Sequence, residues 1–249
     1  MMLLIDSGNT RIKWALVKGM DWLSSGILPV EQAGELSKHL AGHCALLGMG
    51  LHDIEQVWVS NVAGEEVAQH IRDIGVNGNV KPHFVVAQQE QCGVRNGYSR
   101  ADQLGSDRWA ALLAAWHLVS EECLVVCCGT ATTIDTLSGQ GEFMGGLILP
   151  GMELMQNSLS ATTARLKTSR GEYAEFPKNT ADAMFSGAIQ ASCGAIQRQY
   201  ALLDQENAPV VLSGGAAKML EDHLDMPLRV VDNLVLHGLL IIAQEVCEQ

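Results

Sequence analysis

Positive charge is scarce in this chain. Lysine and arginine total 16 against 28 aspartates and glutamates, for a net charge of −12 at pH 7. A general nucleic-acid binder needs a basic face, so that class is excluded. Long hydrophobic runs are missing too: none reaches the ~18–20 residues of a membrane-spanning helix. The opening run from Met1 to Ile5 meets Asp6 with no basic residue before it, so no signal peptide is expected. The seven cysteines are odd in number and show no C-x-x-C spacing, and Cys127 and Cys128 are adjacent. Adjacent cysteines are badly placed for a mutual bridge, so reduced thiols in a cytoplasmic protein are expected, without a zinc or redox centre. His39 and His43 are four apart, but the further ligands of a zinc motif are lacking. G-x-S-x-G and G-x-G-x-x-G are absent, which counts against a serine hydrolase and a Rossmann dinucleotide site.

What is present is ample apolar material. Hydrophobic residues make up 47% and charged residues 18% of 249. That supports one large domain or two of about 125 residues. Met2–Ile5 reads as a strand. Ile12, Trp14 and Leu16 alternate with Arg11, Lys13 and Ala15, a period of two that reads as a second strand. Gly8-Asn9 between them is a turn pair, so the two form a β-hairpin. Strands are expected at 22–28, 57–62, 83–86, 124–128, 132–137, 143–149, 210–212 and 228–231. Helices are expected at 31–47, 65–74, 105–119, 150–159, 181–203 and 235–246, with a further one after Gly215. Residues 87–101 read as a long polar loop of the kind that carries function. Residues 167–178 read as a second polar loop.

Two stretches share a layout. Leu3 to Thr10 and Leu124 to Thr130 are each an apolar strand, a glycine turn with threonine, then another strand. Gly8 and Gly129 stand 121 residues apart, close to half the chain. In the first, Asp6-Ser7-Gly8-Asn9-Thr10-Arg11-Ile12-Lys13 offers turn N–H groups, a hydroxyl and a lysine to phosphate oxygens. Asp6 at the strand end can hold Mg²⁺ directly or through water. An ordinary β-turn would use the same residues. The second, Gly129 to Asp135, repeats the offer with Thr130. Oriented N–H dipoles at two such turns would bind phosphate without a net positive protein.

Two further motifs follow. Gly105-Ser106-Asp107-Arg108 opens a helix, where Asp107 can take a proton from a hydroxyl and Arg108 can pair an anion. Simple helix capping explains the same residues. Gly145 to Gly151 and Ser213-Gly214-Gly215 are glycine-rich strand ends, suited to close backbone approach by a ligand or by another chain.

In this order the four motifs resemble those of type III pantothenate kinases: D-x-G-N-T-x-x-K, G-x-D-R, G-T-A-x-T-x-D and G-G-x-I-x-P-G. The chain supplies them as Asp6–Lys13, Gly105–Arg108, Gly129–Asp135 and Gly145–Gly151. The resemblance implies an α/β fold of the acetate and sugar kinase and actin superfamily. It implies two ribonuclease-H-like (actin-like ATPase) domains, 1–118 and 119–249, with the nucleotide cleft between them. The implied reaction is transfer of the ATP γ-phosphoryl group to the primary hydroxyl of pantothenate, the first step of coenzyme A synthesis.

By the same resemblance, Asp6, Ser7, Gly8, Asn9, Thr10, Arg11, Ile12 and Lys13 look like the first ATP-phosphate hairpin, with Asp6 on the Mg²⁺ side. Thr130 looks like an ATP contact. Asp107 looks like the general base. Gly105, Ser106, Arg108 and Tyr98 look like its neighbours around pantothenate. Thr180 is similar to a threonine that reaches pantothenate from the partner subunit of a homodimer. Two positions depart from the family pattern. Ser106 stands where the family has alanine. Cys127 stands where an aspartate commonly binds K⁺ or NH₄⁺, and a thiol is a poor ligand for a hard monovalent cation. Little dependence on K⁺ is therefore expected. The same motifs suit two alternatives: a regulator on the same fold, or a superfamily phosphotransferase with another acceptor.

Overall fold

The computed structural model describes residues 1–77, 80–162 and 171–248. The start of the expected 167–178 loop, through Arg170, lies outside them. The chain divides into two compact units, Met1–Ala114 with Asn233 onward, and Ala115–Asp232.

In the first unit β1 (Met2–Ser7) and β2 (Arg11–Lys18) form the expected hairpin, followed by β3 (Asp21–Pro29). A 3₁₀ segment, Val30–Glu35, then leads into α1 (Leu36–Leu46), so the helix expected at 31–47 starts in a tighter winding. β4 (Gln56–Asn61), α2 (Glu65–Asn77) and β5 (His83–Phe84) follow. The strands lie in the order β3-β2-β1-β4-β5. β1 pairs antiparallel with β2 and parallel with β4. The period of two sends Leu3, Ile5, Ile12, Trp14, Val57 and Val59 into one core under Leu36, Leu40 and Ile71. Each such side chain stabilises the fold by about 1.5–3 kcal/mol on full burial. The expected 87–101 loop is not all loop. β6 (Glu90–Gln91) and β7 (Val94–Asn96) make a small hairpin within it. Its turn residues Cys92 and Gly93 have φ of 47° and 77°. Positive φ at both central positions suits a tight hairpin turn. α3 (Ser106–Val119) follows this hairpin.

The second unit repeats the plan. β8 (Cys123–Cys128), β9 (Ala131–Leu137), β10 (Glu142–Pro150), β11 (Val210–Ser213) and β12 (Leu228–Val230) run in the order β10-β9-β8-β11-β12. β8 pairs antiparallel with β9 and parallel with β11, as β1 does with β2 and β4. α4 (Met152–Thr162), α5 (Thr180–Tyr200) and the short α6 (Ala217–Glu221) complete the unit. Its core gathers Leu124, Val126, Ile134, Ile189, Ile196 and Leu212. Pro150 ends β10 instead of opening α4, because its residue pairs with Ala131 of β9.

α7 (Leu234–Glu248) closes the chain. Reading residues 119–249 together separates α7 from the strands it packs on. It groups with the first unit, with contacts to β1 and β4. A Cβ at Gly238 would strike the backbone of Ala110 in α3, so the two helices meet where only hydrogen fits. Glu245 Oε1 accepts from the Cys92 N–H at 2.8 Å and fastens the β6–β7 turn to α7. No helix among the described residues is long and apolar enough to cross a membrane.

Candidate active site

β1 and β4 end side by side. Their register sets Asp6 opposite Lys13 on β2 and opposite Ser60 on β4. Alternation turns Asp6 to the face away from the Leu3–Ile5 core. Ser7 and Ile12 take the core face and are fully buried, so neither is open to a ligand in this structure. Ser7 Oγ has no hydrogen-bond partner among the described residues. Gly8 N–H donates to Arg11 O at 3.0 Å, while Asn9, Thr10 and Arg11 stand exposed at the tip. This is a three-residue turn, one residue longer than the Gly8-Asn9 pair expected.

The start of α3 faces the same strand ends. Gly105 O accepts the first helical bond from Trp109 N–H at 2.9 Å. Ser106 Oγ lies 2.9 Å from Ser60 Oγ in a buried contact. Asp107 Oδ1 accepts from the Arg108 N–H at 2.8 Å. Asp6 is pushed up from 3.8 to about 7. Loss of water around the carboxyl is the main cause, Lys13 opposes it, and the charge of Asp107 adds to it. Two carboxylates thus feel each other at one strand end, with Lys13 as the opposing cation. Hard oxygen donors short of positive charge suit Mg²⁺.

Arg108 is buried, and its Nη1 donates to the Tyr98 hydroxyl at 3.2 Å. The guanidinium also sits 5.9 Å from the Tyr98 ring centre. The segment before Tyr98 is organised by Asn96, itself buried. Its Oδ1 accepts from Tyr98 N–H at 3.0 Å, and its Nδ2 donates to Ala101 O at 3.3 Å. Trp109 Nε1 donates to Gln91 Oε1 at 3.0 Å and ties the β6–β7 hairpin to α3. The structure therefore brings Asp6, Lys13, Gly105, Ser106, Asp107, Arg108 and Tyr98 into one unit. Sequence reasoning missed Ser60 and Asn96. Their only local signals were a serine ending a buried strand and an Asn-Gly pair in a polar loop.

In the second unit the β8–β9 turn is Gly129-Thr130, closed by Gly129 N–H to Ala131 O at 3.0 Å. Thr130 is exposed at its tip. Gly151 N–H donates to Thr130 O at 2.9 Å. A Cβ at Gly151 would meet the Gly129 and Thr130 carbonyls, and one at Gly214 would meet Cys128. The close backbone approach expected at both glycine-rich ends is made by the turn's own chain. Cys127 occupies the place in β8 that Asp6 has in β1. It is half-buried, and its register partners are Thr133 and Ser213. No group of three or more histidine, cysteine, aspartate or glutamate side chains placed to hold a metal ion occurs among the described residues. Thr180 is exposed at the start of α5, whose N-cap is Asn179, accepting from Asp182 N–H at 3.0 Å.

Paired strand–turn–strand hairpins on duplicated β3-β2-β1-β4-β5 sheets define an actin-like ATPase fold of the kind found in sugar kinases and related phosphotransferases. One solved structure of this fold is the activator of the 2-hydroxyisocaproyl-CoA dehydratase from Clostridium difficile with bound ADPNP. It superposes with a TM-score of 0.56 at 14% identity, covering 99% of this chain and 96% of that one. The type III pantothenate kinase family profile matches residues 2–202, and the chain belongs to that family. It is 43% identical to the type III pantothenate kinase of Nitrosospira multiformis, covering 100% of this chain and 93% of that protein. It is 44% identical to the one from Aromatoleum aromaticum, covering 98% of each.

Proposed function

We propose that the protein transfers the γ-phosphoryl group of ATP to the primary hydroxyl of pantothenate, giving 4′-phosphopantothenate for coenzyme A synthesis in the cytoplasm. Family membership over residues 2–202 is the observation that carries this reading. Asp107 is the general base: it orients the attacking hydroxyl and takes its proton as the phosphorus–oxygen bond forms. Arg108 and Tyr98, locked together at 3.2 Å, bind the acceptor, and the buried guanidinium pairs its carboxylate. The Gly8–Thr10 turn and Lys13 take the ATP phosphates, and Thr130 makes a further ATP contact. Asp6 holds Mg²⁺, directly or through water. When bound, that ion neutralises phosphate charge, which a protein of net charge −12 does not supply from its overall field.

In this reading the chain works as a homodimer, with Thr180 reaching the partner's acceptor site. The exposure of Thr180 at a capped helix start supports that role. Its monovalent-cation requirement is weak, since Cys127 offers sulfur where an oxygen ligand is needed. The deciding experiment is a coupled assay of ADP release with purified protein, ATP, Mg²⁺ and a panel of hydroxyl acceptors. Turnover dependent on pantothenate is expected. Turnover only with another acceptor, or with none, would overturn the proposal.

A further inference from the structure

One buried polar contact beside Asp6 and Asp107 has no part in the chemistry above. Ser60 Oγ and Ser106 Oγ are 2.9 Å apart, and the two residues are 0% and 8% exposed. Ser60 sits beside Asp6 in the β1–β4 register. Ser106 is the first residue of α3 and precedes Asp107. Their hydrogen bond therefore runs from the strand flanking one carboxylate to the helix end carrying the other. Resting on the reading of Asp107 as general base, we infer that Ser60 and Ser106 form a positioning pair that holds Asp107 in place against Asp6.

The physical need is plain. Asp6 lies beside Ser60 and Asp107 follows Ser106, so two acidic side chains flank the 2.9 Å serine contact, and like charges so placed repel. The first turn of a helix is held by few backbone bonds and frays readily. Repulsion acting on that turn would push Asp107 away from the reacting hydroxyl unless another bond restrained it. A misplacement of about 1 Å costs on the order of 10²-fold in rate.

Three variants separate positioning from plain packing: Ser60→Ala, Ser106→Ala and the double S60A/S106A. Each single change leaves one buried hydroxyl without its partner, which lowers stability. The double change removes both hydroxyls and leaves an apolar pair, which is nearly neutral. The expected result is a lower Tm in each single variant and recovery in the double. kcat falls about tenfold in all three, with KM for ATP unchanged. Recovery of kcat together with Tm in the double variant would reduce the pair to packing and overturn the inference. So would kcat within twofold of wild type throughout. If wild-type protein does not phosphorylate pantothenate, the underlying reading fails instead. Normal wild-type turnover with inert serine changes sinks the positioning pair alone.

Discussion

Asp6 and Asp107 carry the most chemistry per atom, and each yields a prediction. Asp107→Asn keeps the shape of the side chain and removes its basicity. It should lower kcat at least ~10²-fold with Tm close to wild type; a folded variant with near-native turnover would remove Asp107 from the mechanism. Asp6 is pushed up to about 7, so the folded chain holds that proton more tightly than the unfolded chain does. The resulting stability is complete below the unfolded value of 3.8 and is lost as pH rises through about 7. Full ionisation costs on the order of 4 kcal/mol. Part of the Asp6 surface is open to water, so that figure is a ceiling. In Mg²⁺-free buffer, Asp6→Asn should therefore raise Tm at pH 8.5 and gain much less at pH 5. An equal gain at both values would show that burial does not control this carboxyl.

Cys127 is the counterpart of Asp6 in the duplicated plan, and it carries no charge to offer a hard cation unless ionised. Titrating KCl at constant ionic strength should leave turnover nearly flat. A steep rise would contradict the assignment.

At the level of elements, the two hairpins differ in how they are backed. The β1–β2 turn has three residues and an exposed tip. The β8–β9 turn has two; Gly151 packs directly on its backbone, and Gly214 on Cys128 just before it. Gly151→Ala should therefore displace Gly129 and Thr130, lowering stability by about 1–3 kcal/mol as an overpacked site. The same shift should raise KM for ATP through Thr130. Denaturant unfolding and ATP titration check the two effects together, and wild-type values in both would show that the turn yields freely. These motifs were legible in the sequence because a turn and its flanking strands are contiguous. What lay against them was not. Gly145 to Gly151 read as a surface for a ligand or a chain, and at Gly151 the neighbour proved to be a segment 21 residues earlier.

For the whole molecule, the closing helix matters most. α7 lies at the end of the chain but completes the first unit, through Gly238 against Ala110 and Glu245 on Cys92. Gly238→Ala should force α7 off α3. Amide exchange should then quicken in α3, α7 and the β6–β7 hairpin together, while the β8–β9–β11 core keeps its protection. Faster exchange confined to α7 would show that the helix is an appendage. The repeat of strand and glycine turn suggested two halves meeting at residue 118, and the compact units part between Ala114 and Ala115. The return of α7 was not readable, because its hydrophobic residues specify burial without naming the surface that buries them.

The sequence by itself determined the strand alternation, the two glycine turns, the helix start at Ser106 and, through four ordered motifs, the family. These are properties of neighbouring residues, set by backbone geometry and a side-chain period of two. Only the tertiary structure decided that Ser60 touches Ser106, that Asn96 shapes the segment before Tyr98, and that Asp107 bears on Asp6. The serine and aspartate pairings depend on strand register and helix packing, across 46 residues in the case of the serines. The few positive charges are set at that level as well: strand register puts Lys13 opposite Asp6, and Arg108 is buried against Tyr98.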